Sequence, residues 1–141
     1  MEKGLLIVLS GPSGVGKGTI NKRVRELMPQ IQKSISVTTR PIRPNEVNGQ
    51  HYHFISQNEF DNLIKENELL EYAKVYQNYY GTPKKPVINA LENGIDMIFE
   101  LDIQGARLIK QAYDDCIRIF ITPPSIEELH KRLNNRGTET E

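Results

Sequence analysis

The sequence predicts an α/β fold in which a parallel sheet is flanked by helices. Three observations support this. Apolar segments at residues 5–9, 96–102 and 117–122 are typical of buried strands. Helical periodicity follows each of these segments, and strands that alternate with helices favour a parallel sheet covered on both faces. The segment at 34–83, which lies between the first and second of these strands, instead shows short strands, turns and one helix. This pattern predicts a small mixed or antiparallel α+β insert.

The first unit is a strand at 5–9 followed by a helix at 16–28, which ends near Pro29. Within the insert, Ser56 and Glu59 have the spacing of a capping box and predict the start of a helix. A turn at 83–86 leads into a helix that ends at Gly94.

The remaining elements return to the alternating pattern. A strand at 96–102 precedes a helix at 104–113 and a strand at 117–122, beside which Cys116 is expected to be a small core residue. Ser125 and Glu128 form a second capping-box pattern, which predicts a helix to about Asn135.

Composition excludes several classes of function. Eighteen basic and eighteen acidic residues cancel, so no overall field favours nucleic acid or an anionic membrane surface. The longest apolar run has five residues, far too few for a membrane span. A single cysteine cannot form an internal disulfide, which favours a cytoplasmic location. The oligomeric state is left open.

A glycine-rich segment between the first strand and the first helix is the strongest functional signal. Such a loop lets backbone N–H groups surround a phosphate at a helix N-terminus, and a lysine can follow the phosphate that is transferred. The plain alternative is a turn without a ligand, but the preceding apolar strand makes a phosphate-binding enzyme the favoured interpretation. The segment comprises Gly11, Pro12, Ser13, Gly14, Val15, Gly16, Lys17, Gly18 and Thr19.

Gly18 departs from the usual loop pattern, in which serine or threonine binds Mg²⁺. Because glycine has no side-chain oxygen, we expect Mg²⁺ to be held by phosphate oxygens and water, with no direct protein ligand. The Gly-Lys-Gly-Thr variant resembles nucleoside monophosphate kinases more than switch GTPases.

The insert contains groups suited to a second phosphate and a base. Arg40 and Arg43 alternate with prolines that favour extended backbone, so both guanidinium groups can bind a phosphate, and Tyr52 and Tyr80 can donate hydrogen bonds to it. Glu71 lies in an otherwise apolar strand and can accept the two N–H groups that guanine, unlike adenine, presents on one edge. Each residue alone has an ordinary structural explanation; their combination after a phosphate loop favours a binding site.

Several segments together resemble guanylate kinases of bacterial type. They are GLLIVLSGPSGVGKGT, SVTTRPIRPNEVNGQHY, EYAKVYQNYYGTP, FELDIQGA, FITPPSIEELHKRL and RGTETE, spanning residue 3 to the last residue. The resemblance implies a P-loop nucleoside monophosphate kinase core and transfer of the ATP γ-phosphate to GMP or dGMP, with Mg²⁺ as cofactor.

The resemblance also implies roles for individual residues. Ser36, Glu71 and Thr82 would hold the guanine, and the two arginines and two tyrosines named above would hold the GMP phosphate. Glu100 and Asp102 would lie near Mg²⁺ and the acceptor, with Asp102 in the GMP-binding set and the metal near Glu100; the sequence leaves open which of the two contacts which group. Lys17, Arg132 and Arg136 would act on the transferring phosphoryl group.

The implied organisation is a core at 1–33 and 84–131, a GMP-binding insert at 34–83 and the start of a lid at 132–141. Because family members continue for several dozen residues beyond this pattern, the rest of the lid and the C-terminal core are expected to be missing, with impaired activity as the consequence.

Two alternatives stay open. Guanylate kinase-like domains of scaffolding proteins bind phosphopeptides without catalysis, although their phosphate loops are generally degraded and this one is intact. A kinase for another monophosphate is the second, and Glu71 argues against it. A switch GTPase is disfavoured because the sequence contains no Asn-Lys-x-Asp motif.

Overall fold

The computed structural model describes residues 2–12, 15–128 and 130–131. In this part of the chain, the strands form two four-stranded sheets. The elements are β1 (Leu6–Ser10), α1 (Lys17–Leu27), β2 (Gln32–Lys33), β3 (Val37–Thr38), β4 (His53–Phe54), α2 (Gln57–Lys65), β5 (Leu69–Val75), β6 (Asn78–Pro83), α3 (Lys84–Glu92), β7 (Met97–Glu100), α4 (Ile103–Ala112) and β8 (Cys116–Phe120).

The first sheet has the strand order β2-β7-β1-β8 with every pair parallel. Alternate residues of β1 enter different cores. Leu6 and Val8 pack with residues of α3 and α4 on one face, whereas Leu9 packs on the other face, where Val24 of α1 joins it. Helices therefore cover both faces, and the predicted α/β fold is confirmed.

The second sheet has the order β4-β3-β6-β5 and is mixed, because β3 pairs with β4 in parallel and with β6 antiparallel. Its strands and α2 all lie within residues 37–83. The capping box predicted for α2 is present, since Ser56 accepts from the Glu59 N–H and Glu59 accepts from the Ser56 N–H. The division of the chain into core and insert domains stays a prediction.

Strand β5 connects the two cores. Leu70 packs in the core of the first sheet with residues of β1, α3 and α4. The adjacent Leu69 packs in the core of the second sheet, against Phe60 and Val37. The pairing of β5 with β6 is irregular between Leu69 and Glu71. One strand therefore takes part in both hydrophobic cores immediately before a candidate site residue.

The structure corrects parts of the sequence prediction. Strand β2 was not predicted, because two exposed residues carry no apolar pattern. Strand β8 begins at Cys116, which is half-buried against the first core. The remaining residues of β8 are exposed, because β8 is the last strand on its side of the described sheet. Glu128 donates its N–H to Ser125 Oγ at 3.0 Å, whereas the predicted continuation to Asn135 lies outside the described residues.

Candidate active site

The glycine loop joins β1 to α1 at the carboxyl end of the first sheet. Gly11 is required by close packing, because a Cβ at this position would lie 2.5 Å from the carbonyl oxygen of Ile121. Gly16 precedes α1 with a φ of 104°, in the left-handed region that favours glycine. Lys17 begins the helix, and its Nζ donates to the carbonyl oxygen of Gly11 at 2.8 Å. Ser13 and Gly14 lie outside the described residues.

A pocket of about 190 Å³ lies between the two sheets. One wall comes from the second sheet and its loops, and the opposite wall comes from the end of β7. Four predicted site residues line it together: Ser36, Tyr52, Thr82 and Glu100. The other lining residues are Lys33, Ser34, Glu46, His51, Phe99 and Leu101. The topology therefore places groups that are far apart in sequence around one cavity of substrate-binding character.

Glu71 and Thr82 form a buried polar pair beside this pocket. They are cross-strand neighbours on β5 and β6, with 9% and 1% of their surfaces exposed. The Thr82 hydroxyl donates to Glu71 Oε1 at 2.7 Å. Burial raises the pKa of Glu71 above its ordinary value, the Thr82 hydrogen bond opposes this, and the charge of Asp102 adds to the increase. The hydrogen bond from Thr82 therefore orients the carboxyl group of Glu71 to accept further hydrogen bonds, whereas burial disfavours its ionised form.

Arg40 is held by Glu46, a residue that the sequence analysis did not identify. The two guanidinium nitrogens Nη1 and Nη2 each donate to a different Glu46 oxygen at 2.8 Å. The Arg43 N–H donates to the same carboxylate at 2.9 Å. The Arg40 hydrogen bond is the main reason that the pKa of Glu46 is lowered to about 2, and Glu46 in turn raises the pKa of Arg40. Both groups are therefore charged at neutral pH.

Aromatic rings support this ion pair. The Arg40 guanidinium lies 5.3 Å from the ring centre of Tyr52 and 5.5 Å from that of Phe54. Tyr52 and Tyr80 make an edge-to-face contact with ring centres 5.9 Å apart. Burial raises the pKa of Tyr52, and Tyr80 contributes to the increase. The predicted phosphate-binding residues Arg40, Tyr52 and Tyr80 thus form one cluster with their donors close together.

Glu100 lies where the pocket meets the glycine loop. It is the last residue of β7, and its Oε1 accepts from Asn21 Nδ2 at 2.6 Å. Its Oε2 lies on the side of the loop, since a Cβ on Gly18 would be 3.6 Å from that oxygen. The Glu100 carboxylate therefore lies beside Gly18, the loop position that has no side-chain oxygen.

Other predicted residues are less closely involved. Asp102 is exposed and caps α4, accepting from the Gly105 N–H at 2.6 Å, so it lies beyond the end of β7 at Glu100, whereas the sequence predicts that the strand continues to residue 102. Arg43 is exposed next to the cluster, and Thr19 is exposed on α1. Arg132 and Arg136 lie outside the described residues.

Two functional candidates escaped the sequence analysis for different reasons. Glu46 reaches Arg40 only through the loop conformation, so no local pattern in the sequence indicated it. Asn21 could have been found, because Lys17, Asn21 and Arg25 follow at intervals of four and share a face of α1.

The described residues contain no group of three or more His, Cys, Asp or Glu side chains placed to hold a metal ion. None of the helices in this part of the chain has the length and apolar character that crossing a membrane requires.

Comparisons with known proteins identify the family of the chain. The guanylate kinase family model matches residues 3–141. The guanylate kinase of Clostridium tetani is 57% identical over 141 residues, covering all of this chain and 67% of the relative. That of Carboxydothermus hydrogenoformans is 52% identical, covering all of this chain and 69% of the relative.

A crystal structure of guanylate kinase from Anaplasma phagocytophilum gives a TM-score of 0.76 at 36% identity, covering 93% of this chain and 66% of that one. The chain thus spans about two thirds of the length of these relatives. The named relatives do not favour a non-catalytic phosphopeptide-binding module. The chain belongs to the guanylate kinase family, and its reaction class is phosphoryl transfer from ATP to GMP by a nucleoside monophosphate kinase.

Proposed function

We propose that the pocket between the two sheets binds GMP or dGMP and that the glycine loop at 11–19 binds the phosphates of ATP. The observation that carries this assignment is the position of Glu100, which lines the pocket and also faces the loop at Gly18. Two adjacent anion sites separated by one carboxylate have the arrangement that a transfer between two nucleotides needs.

The guanine would be read by the buried polar pair. Glu71, when ionised, has lone pairs left beyond the one that Thr82 occupies, and these can accept N1–H and N2–H of guanine. Ser36 lines the pocket together with Thr82, the hydrogen-bond partner of Glu71, and would contact the base edge. Because adenine lacks this pair of donors, it would leave a buried carboxylate unsatisfied, which is the strongest form of rejection available to a binding site.

The acceptor phosphate would be bound by the aromatic and arginine cluster. Arg40 is fixed above Tyr52 by Glu46, so little conformational entropy is left to lose when a phosphate arrives. Tyr52 and Tyr80 would donate phenolic hydrogens, and the exposed Arg43 would swing onto the phosphate. We expect Glu46 to keep part of its hold on Arg40 while the guanidinium turns another edge to the ligand.

The donor phosphates would be bound by backbone N–H groups of the loop and by Lys17. In the structure the Lys17 ammonium donates a hydrogen bond to the Gly11 carbonyl oxygen. It would exchange this partner for the phosphate oxygens. Arg132 and Arg136 would neutralise the transferring group, as the family resemblance implies. Catalysis then requires no protein nucleophile, only alignment of two anions and cancellation of their repulsion.

Mg²⁺, bound together with ATP, would supply further neutralisation of phosphate charge. The residues present fit this ion, because Glu100 Oε2 is a hard oxygen donor beside Gly18, where the loop itself offers none. Glu100 would hold the ion through water, in line with the expectation that Mg²⁺ has no direct protein ligand, and Asp102 would stay near the acceptor as part of the GMP-binding set.

Three further assignments complete the proposal. The segments 1–33 and 84–131 would be the catalytic core, 34–83 the GMP-binding domain and 132–141 the start of a lid. The site of action would be the cytoplasm, in line with the single cysteine.

A coupled assay of ADP formation would test the proposal, with ATP offered against GMP, dGMP, AMP and UMP. We expect turnover with GMP and dGMP and at least about a hundredfold preference over AMP. Glu71→Gln should remove most of this preference, and Glu66→Gln, an exposed carboxyl in the same region, should not. Equal turnover of AMP and GMP would refute the assignment of the base pocket.

A further inference from the structure

A buried amide links the helix of the donor loop to the carboxylate at the pocket. Asn21 of α1 is fully buried, with 0% of its surface exposed. Its Nδ2 donates to Glu100 Oε1 at 2.6 Å, and its Oδ1 accepts from Arg25 Nε at 2.9 Å. A cation, an amide and a carboxylate therefore form a continuous chain of hydrogen bonds from the outer part of α1 to the end of β7.

The chemistry of the two neighbours fixes the orientation of the amide. Arg25 can only donate, so it must face the amide oxygen; the Glu100 carboxylate can only accept, so it must face the amide nitrogen. A reversed amide would set like groups against each other at both ends. Asn21 therefore presents its donor to Glu100 in one orientation, and a buried group with both partners satisfied resists rotation.

This bond determines which oxygen of Glu100 remains for the reaction. Oε1 is held by Asn21, and Oε2 is left on the side of Gly18, at the junction of the loop and the pocket. A glutamate side chain at this place has several rotatable bonds, so without the amide its carboxylate would sample other directions.

We propose that Asn21, held by Arg25, is a positioning residue that aims the Glu100 carboxylate at the site of phosphoryl transfer. The proposal rests on the proposed function for the role of Glu100. Asn21 itself would contact neither nucleotide. It acts by making one arrangement of Glu100 permanent before the substrates arrive, which is how supporting groups around a site contribute to catalysis.

A kinetic double-mutant cycle tests the positioning role, using Asn21→Leu, Glu100→Met and the double variant. We expect Asn21→Leu to lower kcat about tenfold or more, the loss that a hydrogen bond to a charged group can produce, while KM for GMP stays within about threefold. In the Glu100→Met background, Asn21→Leu should change kcat less than about twofold, because the group that it positions is gone. Independent losses that multiply would overturn the proposal, and so would an unchanged kcat in Asn21→Leu.

A second cycle in urea unfolding is independent of activity. Each single variant leaves a buried polar group without its partner, so its unfolding midpoint should fall; the double variant replaces both partners and should lie nearer to wild type than the sum of the two shifts. Asn62→Leu, an exposed asparagine on α2, should change neither kcat nor the midpoint appreciably. Additive shifts would show that the Asn21–Glu100 bond does not exist in solution.

The two cycles separate this proposal from the assignment of the reaction. Wild-type protein that neither binds GMP nor phosphorylates it would refute the proposed function, whereas the unfolding cycle would still report on the bond. Active wild-type protein whose two substitutions act additively on kcat would refute positioning alone. Arg25→Met gives a graded check, because it frees the amide without removing it and should lower kcat by less than Asn21→Leu does.

Discussion

The proposed donor loop and the proposed acceptor site would bind their nucleotides by different means. The loop would use consecutive backbone groups and one lysine on a single strand–helix junction. The acceptor site would use side chains from β5, β6 and the segments before and after β3, among them the buried carboxyl group of Glu71. Backbone recognition concentrates a site in a few adjacent residues, whereas side-chain recognition distributes it over a sheet and connects it to the stability of that sheet.

The largest effect should separate the two sites completely. Lys17→Ala should lower turnover about a thousandfold, since it removes a preorganised charge from the transferred phosphate. GMP affinity, measured by calorimetry, should stay unchanged because Lys17 belongs to the loop, where its Nζ donates to the Gly11 carbonyl oxygen, and is not one of the residues proposed to bind GMP. Lys22→Ala, an exposed lysine on the same helix, is the control and should leave both quantities unaltered. A comparable loss of GMP affinity in Lys17→Ala would show that the two sites are not distinct.

The next effect belongs to the acceptor site alone. Glu71→Gln should cost about 1.5–3 kcal/mol in GMP binding, which corresponds to an increase in Kd of about 10–150-fold. An amide offers one acceptor where the carboxylate offers two charged oxygens. Calorimetric titration with GMP measures this change, and ATP affinity should be unaffected. A Kd within about twofold of wild type would mean that Glu71 does not read the base.

A third substitution compares stability at the two sites. Thr82→Val removes the hydroxyl that donates to the buried Glu71, so the free energy of unfolding should fall by about 1–3 kcal/mol. Thr82→Ser keeps the donor and should recover most of this. On the donor side Thr19 is exposed, and Thr19→Val should change the free energy by less than about 0.5 kcal/mol. Chemical denaturation measures all three, and equal losses at Thr19 and Thr82 would contradict the contrast.

The smallest effect is a dependence on pH. The folded-state pKa of Glu71 lies above the ordinary value of 4.5, so GMP affinity should decline on acidification at a higher pH than for an exposed carboxylate. The effect of pH on stability has the opposite direction, because the free energy of unfolding should fall as pH rises. Between the ordinary and the raised pKa, the folded state binds more protons than the unfolded state, so ionisation of Glu71 lowers stability as pH rises. Relative to wild type, Glu71→Gln should therefore become more stable as pH rises through this window. Parallel curves for the two proteins would show that the pKa is not raised.

What the sequence could predict follows the same contrast. The loop at 11–19, the alternation of strands and helices that indicates a parallel sheet, and the capping box of Ser56 were all predictable, because each is a pattern of residues close together in the chain. Glu71 could be suspected as a lone carboxylate in an apolar strand, but its pairing with Thr82 depends on the register of β5 and β6. The bond from Glu46 to Arg40 depends on a loop conformation that no local pattern specifies.

The adjacent leucines of β5 have a consequence for how the molecule opens. Leu69 packs in the core of the second sheet and Leu70 packs in the core of the first. Strand β5 therefore cannot leave one core without exposing a leucine that belongs to the other. The two sheets should therefore unfold as one cooperative unit. In native-state hydrogen exchange, the paired amides of β5 are expected to exchange as slowly as those of β1, although β5 lies in the sheet that we propose binds the acceptor. We expect any movement of that sheet during the proposed reaction to pivot about this strand.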